Sequence, residues 1–162
     1  MTTQTFILSD EKQTEQFAKC LAELNPTGFI RLSGDLGAGK TTLTRHLLRA
    51  LGHKGSVKSP TFTLVEPYQI TQPNGELKSV YHADLYRLND PEELDFIGFF
   101  EYFDEPNVLV IIEWASRAET LLPKPDLTIK IKQLKNDCRS VTVTSPNDTI
   151  NLAHLNLTDL NV

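Results

Sequence analysis

Gly34-Asp35-Leu36-Gly37-Ala38-Gly39-Lys40-Thr41 is the densest concentration of chemistry in the sequence. It fits G-x-x-x-x-G-K-[ST] at every position. Glycines permit positive φ and leave no Cβ between the backbone and an anion. Successive N–H groups can then turn inward as an anion nest. The loop opens onto a helix N-terminus, whose partial positive charge contributes about 0.3–2 kcal/mol toward an anion. Such a loop suits a phosphate chain. The expected nucleotide-binding positions are Asp35, Leu36, Gly37, Ala38, Gly39, Lys40, Thr41 and Thr42. Lys40 is placed to reach the β- and γ-phosphates, and the Thr41 hydroxyl to bind Mg²⁺.

A loop of this kind that hydrolyses its nucleotide also needs a carboxylate near the metal, usually at the end of a buried strand. The aliphatic run Val108 to Ile112 ends in Glu113. Glu113 is therefore a candidate metal ligand and catalytic residue. It could bind Mg²⁺ through a water, polarise the attacking water, or do both. The second candidate lies in His82-Ala83-Asp84-Leu85-Tyr86-Arg87. On an extended backbone His82, Asp84 and Tyr86 share a face, and Asp84 can orient a water or help hold Mg²⁺. The competing reading is an exposed strand end with Asp84 paired to Arg87. Ser59-Pro60-Thr61-Phe62 follows the glycine loop, where small P-loop proteins can sense γ-phosphate and Mg²⁺. Thr61 is the candidate there, against a plain Ser-Pro turn. Trp114, next to Glu113, belongs either to the core or to the mouth of the site.

These side chains need elements to hold them. Thr3 to Leu8 reads as a strand. A helix capped by Ser9 or Asp10 runs to about Leu24, with Phe17, Leu21 and Leu24 on one face. Phe29 to Ser33 is a short strand feeding the glycine loop, and Thr41 to Leu51 is the helix after it, closed by Gly52. Thr61 to Ile70 and Leu77 to His82 flank Pro73-Asn74-Gly75, a hairpin signal. Asp90-Pro91-Glu92-Glu93 announces a short helix. Val108 to Ile112 has the all-aliphatic pattern of a parallel strand covered on both faces. Ala115 to Leu122 reads as a short helix. Leu127 to Leu134 and Arg139 to Ser145 flank Lys135-Asn136-Asp137-Cys138 as a second hairpin. The expected fold is α/β: a P-loop NTPase-like mixed sheet, central parallel strands with antiparallel flanking strands, and helices on both faces. All 162 residues suit a single domain.

Composition narrows the function. The net charge is −5, and no basic run marks a face for gripping a nucleic-acid backbone directly. No apolar run approaches a membrane span, and the start lacks the pattern of a secretory signal. Cys20 and Cys138 have no metal-site or disulfide spacing. A cytoplasmic protein is expected. A small-molecule kinase would want an arginine-rich lid, yet Arg31, Arg45, Arg49, Arg87, Arg117 and Arg139 are scattered. A GTPase switch would want Asn-Lys-x-Asp, which is absent; Asp95-Phe96-Ile97-Gly98 matches D-x-x-G but follows a helix signal instead of a buried strand. A nucleotide-binding module without catalysis is the remaining alternative.

The set GDLGAGKT, SPTF, H-x-D-L-Y-R and an apolar strand ending in Glu-Trp resembles the bacterial TsaE (formerly YjeE) family. The resemblance runs from about Ser9 to Arg117. It implies an ATPase using ATP and Mg²⁺, weak alone, that serves threonylcarbamoyladenosine formation on tRNA. It also implies partnership with TsaB and TsaD proteins, TsaD being the one that transfers threonylcarbamoyl to the tRNA. Contact with tRNA would then be indirect, and the isolated protein monomeric. Carried over by motif, Lys40 and Thr41 hold phosphate and Mg²⁺, Glu113 is a second metal-side carboxylate, and Asp84 is the catalytic carboxylate. Ser9 and Thr14 match an N-terminal Ser-x-x-x-x-Thr that would border the nucleotide.

Overall fold

The computed structural model describes residues 1–155. Among these residues seven strands form one sheet in the order β1-β7-β6-β2-β5-β4-β3. The strands are β1 (Thr2–Leu8), β2 (Gly28–Ser33), β3 (Val65–Thr71), β4 (Leu77–Asp84), β5 (Val108–Glu113), β6 (Leu127–Gln133) and β7 (Arg139–Ser145). The four central strands, β6-β2-β5-β4, are parallel. β3 pairs antiparallel with β4 at one edge, and β7 and β1 continue antiparallel at the other. The expected mixed sheet is therefore the one observed.

Alternation along the strands assigns the two faces of the sheet. Ile30, Leu32, Leu109, Ile111 and Val80 join α1 (Glu11–Glu23) and α2 (Lys40–Leu51) in one core. Phe29, Val110, Ile112 and Ala83 join a second core on the other face, with Leu94 of the short helix α3 (Glu93–Phe96) and Phe99. Every residue of β5 is buried, as expected of a strand covered on both sides. α1 begins where Asp10 caps it, the Asp10 side chain accepting from the Gln13 N–H at 2.9 Å. Among the described residues no helix is long and apolar enough to cross a membrane.

Some elements differ from their sequence reading. β3 starts at Val65, because residues before it form a turn closed by Leu64 N–H donating to Pro60 O at 2.9 Å. Leu64 lies at φ 70°, outside strand geometry. Thr61 therefore sits in a loop. The segment after Trp114 is a single 3₁₀ turn, Ala115–Ala118, in place of a longer helix. β4 continues beyond His82 to Asp84, which matters for the site.

Gly34 marks where β2 turns into the glycine loop. Its φ is +153°, and a Cβ there would stand 2.6 Å from the backbone oxygen of Ile131 in β6. Only glycine fits so close to a backbone that cannot retreat. Gly34→Ala is expected to destabilise the protein by more than about 1 kcal/mol, lowering the melting temperature by at least ~2–4 °C. Equal melting temperatures by circular dichroism would contradict this packing.

Candidate nucleotide site

The glycine loop joins the carboxyl end of β2 to the first turn of α2. Gly37 and Gly39 lie at φ 80° and 110°, the left-handed geometry the loop needs. Among the described residues no side chain caps α2, so its leading N–H groups remain available to an anion. Lys40 is 7% exposed. Its Nζ donates to Gly34 O and stands 4.9 Å from the centre of the Trp114 ring. A phosphate would compete with that carbonyl for the ammonium. Arg139, at the start of β7, holds the loop from the other side: Nε donates to Ala38 O at 2.7 Å and one terminal nitrogen to Asp137 O at 2.9 Å.

The two carboxylates come from neighbouring strands in register, Asp84 opposite Glu113. Both fall on the sheet face that carries α1 and α2, by the same alternation that places Val80 and Leu109 there. Glu113 is nearly buried, at 3% exposure. Its Oε2 lies 2.6 Å from Nε2 of His82, which has no exposure at all. Asp84 is half-buried. Its Oδ1 accepts the Tyr86 N–H at 3.0 Å, and its own N–H donates to Leu64 O at 3.0 Å. Burial holds the Asp84 carboxyl above its ordinary range, and the neighbouring Glu113 pushes the same way; the Tyr86 N–H, His82 and Lys40 oppose it.

A cleft of about 280 Å³ unites these parts. Leu36, Gly37, Gly39, Lys40, Thr41 and Thr42 line one wall, and Thr61, Asp84, Glu113 and Trp114 the other. Asp35 and Ala38 complete the loop; Ala38 is buried, and its N–H donates to Asp35 O at 3.0 Å. A second cavity of about 110 Å³ shares Gly39, Thr42 and Arg139 with the cleft, and is closed by Leu8, Glu11, Thr14, Leu43, Ile131 and Val141. Thr14 thus stands beside the glycine loop. Ser9 does not line this cavity; its N–H donates to Gln13 Oε1 at 2.7 Å. Thr61 Oγ1 is 2.7 Å from Ser59 Oγ.

The donor set can be tested against Mg²⁺. Among the described residues no three His, Cys, Asp or Glu side chains gather as a metal cage. The cleft offers the Thr41 hydroxyl, one nearly buried carboxylate and one half-buried carboxylate. Hard oxygens in small number suit Mg²⁺, which is commonly held by one or two carboxylates together with phosphate oxygens. The residues fit.

Three features of the site differ from the sequence reading or were absent from it. Arg87 does not pair with Asp84; its guanidinium lies 4.5 Å from the centre of the Phe62 ring. Tyr86 leaves the strand and packs against Trp114, ring centres 4.9 Å apart, which puts Trp114 at the mouth of the cleft. Arg139 and Glu11 join the site although no motif marks them, since the sheet order brings β7 to the loop and the shared core with α2 brings α1.

Comparison with known proteins gives a consistent result. The family described as "Threonylcarbamoyl adenosine biosynthesis protein TsaE" matches residues 8–141. The chain is 42% identical over 147 residues to the tRNA threonylcarbamoyladenosine biosynthesis protein TsaE of Haemophilus influenzae, covering 87% of this chain and 89% of that one. It is 38% identical over 135 residues to the protein of the same name from Bacillus subtilis, covering 83% and 80%. Its fold is similar to the crystal structure of YdiB from Bacillus subtilis, with a TM-score of 0.71 and 31% identity over 93% of this chain and 90% of the other.

The raised carboxyl of Asp84 has a measurable consequence. The native state binds this proton more tightly than the unfolded chain does. The resulting cost is absent below the unfolded pKa and develops as the pH rises through the native one. In magnesium-free buffer, Asp84→Asn is therefore expected to raise the melting temperature near neutral pH, and the gain should shrink on acidification through the carboxylate range. Asn retains an oxygen for the Tyr86 N–H. A variant no more stable than the parent at neutral pH would refute the assigned direction.

Proposed function

The chain belongs to the TsaE family of threonylcarbamoyl adenosine biosynthesis proteins, and from that premise we propose that it is a P-loop ATPase. It hydrolyses ATP to ADP and phosphate with Mg²⁺. It works with TsaB- and TsaD-type proteins in forming threonylcarbamoyladenosine on tRNA, in the cytoplasm, and meets tRNA only through that complex. The observation that carries this reading is the meeting of Asp84 and Glu113, in register at adjacent strand ends, with Lys40 and Thr41 across one cleft.

Each side chain has a task in that reaction. The loop N–H groups and Lys40 bind the phosphate chain, Lys40 exchanging the Gly34 carbonyl for phosphate oxygens. Thr41 and Glu113 would hold Mg²⁺, which when bound neutralises charge on the β- and γ-phosphates. Asp84 orients the attacking water, and its raised carboxyl suits accepting that water's proton. Thr61 faces the same cleft from a loop tied to β4. The neighbouring cavity beside Thr14 and Arg139 is where the base or ribose would lie.

The alternatives draw less support. Asp95, the carboxylate of the D-x-x-G match, is exposed on α3 and does not line the cleft, which counts against a GTPase switch. A kinase would need an acceptor, and the cleft wall opposite the glycine loop presents carboxylates suited to water and metal.

Lys40→Ala is expected to remove charge-assisted bonds worth about 1.5–3 kcal/mol each, weakening ATP binding roughly 10- to 150-fold. Asp84→Ala should retain ATP and lose turnover. The parent's turnover should be low alone and rise when TsaB, TsaD and tRNA are added. Unchanged ATP affinity in Lys40→Ala would refute the site. A rate indifferent to the partners would refute the role.

A further inference from the structure

His82 is buried in β4 beside the carboxylate of Glu113, and the proposed reaction gives it no task. Its Nε2 is 2.6 Å from Glu113 Oε2. Its Nδ1 is buried and has no hydrogen-bond partner among the described residues. A proton on Nδ1 would therefore be stranded, whereas a proton on Nε2 lies on the bond to Glu113. The imidazole is then a donor with one acceptor. Its backbone cannot drift, because β4 is paired on both sides, with Glu66 of β3 and Ile111 of β5 opposite His82.

We infer that His82 is a positioning residue for the metal: its Nε2–H holds Glu113 Oε2 so that Oε1 is the oxygen turned to Mg²⁺ in the cleft. This rests on the reading of Glu113 as a metal-side carboxylate. Glu is longer than Asp by one methylene and has one more torsion to fix. A buried donor on the neighbouring strand supplies that constraint. Partners of metal ligands act this way in general, orienting the ligand and tuning its basicity. A residue kept only for packing would have no need of a ring nitrogen here, since Leu or Phe fills such a space without leaving Nδ1 unpaired.

The test compares the parent with His82→Leu, His82→Asn, His82→Gln and Glu113→Gln. Mn²⁺ binding is read by electron paramagnetic resonance in the presence of ADP. ADP binding is read separately in EDTA, and folding by circular dichroism. His82→Leu and His82→Asn are expected to weaken Mn²⁺ binding about 10- to 100-fold, leaving ADP affinity in EDTA unchanged. An Asn amide reaches the Nδ1 position and misses Glu113. The Gln amide reaches the Nε2 position, so His82→Gln should recover most of the loss, which a purely structural role would not predict. If Glu113→Gln loses Mn²⁺ while folded His82→Leu or His82→Asn retains it, the positioning role is overturned and the reading of Glu113 stands. If Glu113→Gln itself retains Mn²⁺, the reading of Glu113 falls, and the inference with it. Should His82→Leu not fold, the contrast between Asn and Gln decides.

Discussion

Parallel pairing of β5 with β2 on one side and β4 on the other is the constraint on which the site depends. It aligns Leu32 with Glu113 and Glu113 with Asp84, so three strands end together at one edge. The glycine loop springs from the first, and the other two present carboxylates. In open α/β sheets ligands gather at such carboxyl ends for this reason. The pairing also sets the face. Slipping β4 or β5 by one residue would turn its carboxylate away from α2 and into the opposite core. The aliphatic run of β5 would suit either face, so its register is disciplined by its polar end: a slip would bury the Glu113 carboxylate in the apolar core behind the sheet.

The electrostatic cost of the arrangement is visible in the side chains themselves. Asp84 and Glu113 face each other's field, and burial pushes Asp84 toward its neutral form. Lys40 opposes this from across the cleft while bonded to the carbonyl of Gly34. A fold selected only for stability would replace such groups with apolar ones of similar size. Keeping them is the pattern of a site whose charges are balanced by what it binds.

How much of this was legible in the sequence follows the distance over which each contact acts. The glycine loop, the cap at Asp10 and the aliphatic β5 are local patterns, and the structure has all of them. Asp84 and Glu113 could be named because each ends a run with its own periodicity. The contact between His82 and Glu113 could not, since it needs β4 and β5 to be neighbours in register. Arg139 is a stronger case. It begins a hairpin strand with no motif, yet its guanidinium holds the glycine loop at Ala38, because β7 lies two strands from β2. The sequence reading of a strand from Thr61 failed for a local reason: the Pro60–Leu64 turn and the positive φ of Leu64 end the extended run. The run ahead of the Pro73-Asn74-Gly75 hairpin signal was read as strand from Thr61 onward, and turn chemistry won at its start.

The site divides between rigid and attached parts. Glu113 and His82 belong to paired strands inside the core, with the Phe29, Phe99 and Phe103 cluster packed behind β5 on the opposite face. The phosphate side is a loop, and Thr61 rides on another loop whose Phe62 is 83% exposed. That second loop meets the rest of the fold at several points: Leu64 O accepts the N–H of Asp84, Thr63 Oγ1 donates to Glu66 Oε1 of β3, and the Phe62 ring lies under the Arg87 guanidinium. A displacement of the loop would bear on the backbone of Asp84, while Glu113, bonded to His82 and flanked by β2 and β4, lies one strand further in. The two carboxylates stand side by side, yet Asp84 borders the loop and Glu113 the interior of the sheet; in the proposed reaction that would place the water and the metal under different structural constraints.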